Sequence, residues 1–115
     1  RTVPIVTDDR LMEMCFGVYE GIENSFALPD CPINLAFQAP ERFVADKGAE
    51  SFEELFARTG DFLEKVVKPQ LAQGKDILIV GHGAMNSSIV CQVKKLPLMQ
   101  FWSAGIENCK LMQLC

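Results

Sequence analysis

The sequence contains a single histidine, no CxxC spacing, no cluster of lysine and arginine, and no repeat or low-complexity tract. Five cysteines are present (Cys15, Cys31, Cys91, Cys109 and Cys115), an odd number, and most sit in apolar surroundings. Disulfide frameworks and zinc sites need paired or clustered ligands, so neither is supported, and the thiols read as reduced and mostly buried in a cytoplasmic protein. The longest basic run is Lys94-Lys95 and the formal net charge is −4, which argues against a nucleic-acid partner. The apolar stretches fall far short of the roughly 20 residues that a membrane-spanning helix needs, so no membrane role is expected. No signal peptide is visible. The chain opens at Arg1 rather than at a methionine, in the run-up to a strand, and its true N-terminus is expected upstream.

The 115 residues suit one domain, with 49% apolar and 23% charged residues, ordinary values for a globular protein. Val3-Pro4-Ile5-Val6-Thr7 is a short β-prone run stopped by Asp8-Asp9. Residues 10–21 read as irregular with one helical turn. Residues 24–48 carry Pro29, Pro32 and Pro40 among scattered aromatics and predict a long loop with short helical pieces. Ser51 and Glu54 form an S-x-x-E capping box ahead of Phe52, Leu55, Phe56, Phe62, Leu63, Val66 and Val67 on one helical face. Pro69 should kink or end that helix and Gly74 should stop it. Residues 76–81, Asp-Ile-Leu-Ile-Val-Gly, predict a strand buried on both faces of a parallel sheet. A second helix is expected from Ala84 or Met85 to Lys94, with Pro97 beyond it, and a last strand over 109–115. This order is an α/β pattern.

His82 stands between the predicted strand and the predicted helix, flanked by Gly81 and Gly83. In open α/β sheets ligands bind beyond the carboxyl ends of the strands, which is this position. The N–H groups of Gly83, Ala84 and Met85 would open the helix and could receive an anion such as a phosphoryl group. The alternative is a histidine that merely caps the turn.

Residues 77–83, Ile-Leu-Ile-Val-Gly-His-Gly, resemble the second histidine motif of the histidine phosphatase (phosphoglycerate-mutase-like) superfamily. Residues 10–21, with Leu11, Glu13, Phe16, Gly17, Tyr19, Glu20 and Gly21, look like its L-x-E-x-x-F-G-x-W-E-G segment, Tyr19 taking the aromatic place. Gly48-Ala49-Glu50-Ser51 followed by Arg58 resembles its G-x-E-S stretch and helical arginine. Together the three motifs, in order, span roughly residues 3 to 115. The resemblance implies an incomplete three-layer sandwich: a mostly parallel sheet with helices on both faces, lacking its N-terminal strand or strands. It implies that residues 1–115 are a partial domain, without the N-terminal Arg-His-Gly part and the extreme C-terminus.

In that family a histidine of an Arg-His-Gly motif attacks phosphorus and becomes a phosphohistidine, splitting one hard displacement into two. The resemblance implies that His82 contacts phosphoryl oxygens in the transition state, with Gly83 and Ala84 as backbone phosphate donors. It implies that Glu13 protonates the leaving oxygen and then activates the acceptor. From the residues alone, Glu13 between two methionines reads equally as a surface carboxylate. Ser51 is structural as a helix N-cap. Arg58 is also structural, beside apolar positions and expected to pair with a carboxylate; Glu20 is expected in the same network. Arg42 and Lys47 could meet a second acidic group on a small phosphorylated metabolite, or be solvated loop charges. No metal and no cofactor are expected.

One histidine means that the nucleophile and the family's two phosphate-clamping arginines are not in this chain, which alone is expected to be inactive. The absent strand should lie beside the strand ending at His82, so self-association or completion of the sheet by another chain is expected. The complete protein is read as a phosphatase or phosphoglycerate-mutase-type enzyme. The competing readings are a non-catalytic fragment serving as an anion-binding or interaction module, and a different α/β domain with Cys15 or Cys91 as nucleophile.

Overall fold

The capping box forms as its residue pattern dictates: Ser51 Oγ accepts from Glu54 N at 3.0 Å, and Ser51 N donates to Glu54 Oε1 at 3.2 Å. A computed structural model describes residues 4–17, 34–45, 48–106 and 110–114. Its order is a 3-10 turn at Asp9–Leu11, helix α1 at Asn34–Gln38, a 3-10 turn at Pro40–Arg42, and helix α2 at Phe52–Phe62. A π-helical segment, Leu63–Val67, leads into α3 at Lys68–Ala72; α4 spans Gly83–Lys94, and a 3-10 turn covers Leu98–Gln100.

Pro69 shapes the middle of this order. It has no N–H to give to the helix, and its ring crowds the carbonyl four residues earlier. The chain answers by widening rather than stopping: Lys68 N bonds Leu63 O, five residues back, and helical structure continues to Ala72. Gly74, at φ 79°, then turns the chain in the left-handed conformation that favours glycine. Helix α4 begins at Gly83, one residue before the earliest predicted start, and ends on Lys95 in the left-handed region ahead of Pro97.

The core lies between α2 and α4. Phe52, Leu55, Thr59 and Phe62 recur at three- and four-residue spacing on the buried face of α2. Leu55 and Phe52 join Met14, Ala36, Ala84, Cys91 and Phe101 in one cluster. A polar seam crosses it: Thr59 Oγ1 donates to Leu55 O at 2.9 Å and accepts from Gln92 Nε2 at 2.8 Å. The buried Ser88 hydroxyl donates to Met85 O at 2.6 Å, so it too has a partner.

The predicted sheet does not appear among the described residues, whose only β pairing is an isolated antiparallel bridge between Phe16 and Ala49. Residues 77–80 were expected to be buried on both faces. Instead Leu78 is 72% and Val80 80% exposed, while Ile77 and Ile79 are partly buried. The same holds for the first predicted strand, where Ile5 and Val6 are exposed, and for the last, where Leu111 is exposed. A strand needs a neighbour to take its backbone hydrogen bonds. Among the described residues the backbone groups of 77–80 have none, so a β-prone composition stays unpaired. Among the described residues no helix is long and apolar enough to cross a membrane.

Candidate functional site

Glu13 and His82 are far apart in sequence, and the fold brings Glu13 to the helix that follows His82. Glu13 Oε2 accepts from Ala84 N at 3.1 Å, and Oε1 accepts from Met85 N at 2.9 Å. Met14 N also donates to Oε1, at 2.8 Å. A carboxylate at the N-terminus of α4 satisfies two N–H groups that have no partner within the helix and meets the positive end of its dipole. Ala84 N–H, expected to receive a phosphoryl oxygen, is therefore occupied by Glu13. Gly83 N–H makes no hydrogen bond among the described residues, and both Gly83 and His82 are exposed. His82 holds the N-cap position in extended backbone (φ −99°, ψ 172°) and opens the helix through its carbonyl, which accepts from Asn86 N at 2.8 Å.

Two arginines strap the segment bearing Glu13 onto α2. Arg10 grips Asp8 through Nε to Oδ1 at 2.9 Å and Nη2 to Oδ2 at 2.7 Å, and reaches Asp61 Oδ2 through Nη1 at 2.7 Å. Its guanidinium carbon sits 5.5 Å from the centre of the Phe62 ring. Asp8 is held below the usual carboxylate range by hydrogen bonds from Arg10, and Asp61 by Lys65 and then Arg10. The Arg10 guanidinium is correspondingly raised, first by Asp8 and then by Asp61. Arg58 bonds Glu50 bidentately, at 2.7 and 3.0 Å, and gives its third bond to Arg10 O at 2.7 Å. Glu50 in turn accepts from Cys15 N at 3.2 Å, and Glu50 N donates to Cys15 O at 2.6 Å. These contacts fix the backbone on either side of Glu13.

Arg58 was expected to pair with a carboxylate, and Glu50 is that partner. The parts of Arg10, Asp8 and Asp61 were not anticipated. The Asp-x-Arg spacing is a local signal for the first pair, but nothing local links Arg10 to Asp61. Arg42 is exposed on its turn, where its backbone N donates to Ala39 O at 2.9 Å, and its guanidinium makes no hydrogen bond or ion pair among the described residues. Lys47, Tyr19 and Glu20 lie outside the described residues, as do Cys31, Cys109 and Cys115.

Cys91 is buried in the core with its thiol pushed up by desolvation, which opposes a nucleophilic role. Cys15 is exposed, with Sγ 3.6 Å from Gly48 O. Among the described residues no group of His, Cys, Asp or Glu is arranged to hold a metal ion.

Beside Gly83 lies a cleft of 220 Å³ lined by Gly83, Ser87, Trp102, Gly105 and Ile106. Its aromatic wall is fixed on three sides. Trp102 Nε1 donates to Ala36 O at 2.6 Å, and its ring stacks on Phe37 at 4.8 Å and meets Phe101 edge-on at 4.9 Å.

The chain is 30% identical over 113 residues to "Putative phosphoserine phosphatase 2" of Hydrogenobacter thermophilus, covering 96% of this chain and 53% of that protein. It is 33% identical over 53 residues to a 2,3-bisphosphoglycerate-dependent phosphoglycerate mutase of Methanococcus vannielii, covering 46% of this chain and 23% of the relative. It is 36% identical over 59 residues to the enzyme of that name from Treponema denticola, covering 51% and 24%. The chain thus spans about half the length of the first of these relatives. No solved structure matches it. The family model for branch 1 of the histidine phosphatase superfamily, whose architecture is α/β, matches residues 1–115 from end to end, and the chain belongs to that superfamily.

Proposed function

We propose that residues 1–115 are the acid-bearing and second-histidine-bearing part of an enzyme that transfers phosphoryl groups through a phosphohistidine. The observation that carries this reading is Glu13, whose carboxylate is held at the start of α4 immediately beyond His82. The nucleophilic histidine comes from sequence outside these residues, since His82 is the sole histidine here. It attacks phosphorus and the bond to the leaving oxygen breaks, with Glu13 giving that oxygen its proton. Water or a second hydroxyl, deprotonated by Glu13, then attacks the phosphohistidine and frees the histidine. The imidazole of His82 and the free N–H of Gly83 stabilise charge on the phosphoryl oxygens. The substrate is a small phosphorylated metabolite, and the relatives' names make phosphomonoester hydrolysis and phosphoglycerate-type transfer the two forms of the reaction.

The exposed Leu78 and Val80 support completion of the sheet by a strand from the absent part, giving the sandwich of the superfamily. In the complete enzyme, His82→Ala should lower turnover of p-nitrophenyl phosphate by at least a hundredfold with unchanged circular dichroism. Normal turnover in that variant would refute the assignment.

A further inference from the structure

The His82 imidazole makes no hydrogen bond among the described residues, so its direction is set by the backbone that carries it. Asn86, on the first turn of α4, holds that backbone at two points. Its side-chain Nδ2 donates to Gly81 O at 3.0 Å, and its backbone N donates to His82 O at 2.8 Å. These two carbonyls belong to the two peptide planes that meet at the His82 Cα. Because a peptide is planar, anchoring one oxygen in each plane restricts both planes. The direction in which the imidazole leaves the chain is restricted with them. In a trans peptide the N–H points opposite to the carbonyl, so the bond to His82 O also turns the Gly83 N–H toward the open end of α4.

The space at Gly81 fits the same arrangement. Its φ lies outside the left-handed region, so room rather than backbone conformation calls for glycine there. A Cβ would come within 2.0 Å of Met85 Cε and 3.0 Å of Asn86 Oδ1, and Met85 is wholly buried. The missing Cβ leaves room for the Asn86 carboxamide beside the Gly81 carbonyl. Helix propensity gives no reason for asparagine at this place, since it is a weak helix former. The backbone bond to His82 O would form with any residue but proline.

We propose that Asn86 is a positioning residue for phosphoryl transfer: through its bond to Gly81 O it aims the His82 imidazole at the phosphoryl oxygens. The proposal rests on the reading of His82 as the group that stabilises charge on those oxygens. Asn86 itself touches no reacting atom and moves no proton. A contact made in the transition state depends steeply on placement, so freeing the peptide between Gly81 and His82 lowers kcat rather than substrate binding.

The experiment is a double-mutant cycle in the complete enzyme, with p-nitrophenyl phosphate as substrate. Asn86→Ala removes the Nδ2 bond and keeps the backbone bond to His82 O. Alanine is the better helix former, so the unfolding temperature should stay close to that of the parent. In the parent background this substitution should lower kcat about tenfold with KM unchanged. In the His82→Ala background no imidazole is left to aim, and the same substitution should lower the residual kcat by less than about twofold. Asn86→Leu, similar in size to asparagine and also without a donor, should repeat the coupling even if alanine loosens the turn. Equal proportional losses in both backgrounds, the result of a merely structural role, would overturn the proposal. Parental kcat in both Asn86 variants would overturn it too. Normal turnover in His82→Ala would instead refute the underlying reading of His82.

Discussion

Replacing Glu13 separates its two duties, holding the start of α4 and moving a proton. Alanine removes the acceptor for the N–H groups of Met14, Ala84 and Met85, residues 1%, 2% and 0% exposed. Each orphaned buried donor costs about 1–3 kcal/mol. The three donors share two oxygens, and the gap left by the side chain admits some water. A total of about 2–4 kcal/mol follows, including the lost attraction of the charge for the helix dipole. For a domain of this size that lowers Tm by about 8–16 °C. Glutamine keeps one carbonyl acceptor and loses the charge, so Glu13→Gln should cost only about 1 kcal/mol. Turnover responds differently. Neither substitute moves a proton, and both variants should lose about 10² to 10⁴ in kcat. Thermal unfolding and steady-state kinetics on the two variants of the complete enzyme test the separation. Turnover surviving in Glu13→Gln would refute the proton role, and equal stability of the alanine variant and the parent would refute the tethering of α4.

Other perturbations follow from the same contacts. Asp8 and Asp61 titrate below the usual carboxylate range, so their contribution to stability is present above the unfolded aspartate value, about 4. It is lost as pH falls through their lower folded values. Arg10→Met should therefore destabilise at pH 7 and lose that effect toward pH 2, as urea melts across the acid limb would show. Iodoacetamide with peptide mapping should label Cys15 at once and Cys91 only under unfolding conditions; early Cys91 labelling would contradict its place in the core. Leu55→Ala should cost about 2–5 kcal/mol, because Leu55 is wholly buried between α2 and its neighbours; a loss under 1 kcal/mol would mean the cluster is misassigned.

Local patterns in the sequence determined the two main helices. Ser51 and Glu54 define the start of α2 through reciprocal bonds three residues apart, and the 52, 55, 59, 62 spacing defines its buried face. The motifs around Glu13, Glu50 and His82 were legible too, because each is a short run of residue types. The strands were not delivered by composition. Residues 77–80 have the β-branched content of a buried strand, but pairing is a property of a neighbour, and among the described residues none is present.

Tertiary structure decided which groups share a site. Nothing local makes Glu13 take the N–H groups of Ala84 and Met85; the Arg10–Asp61 and Arg58–Glu50 contacts do so by holding residues 8–16 across α2. Ser87 and Ser88 are identical as letters and both are buried, but only the helix face each occupies brings the Ser88 hydroxyl to Met85 O and Thr59 and sets Ser87 against Gly105. Chain-local rules act over three or four residues, whereas Trp102, Gly105 and Ser87 meet only when the core between α2 and α4 has closed.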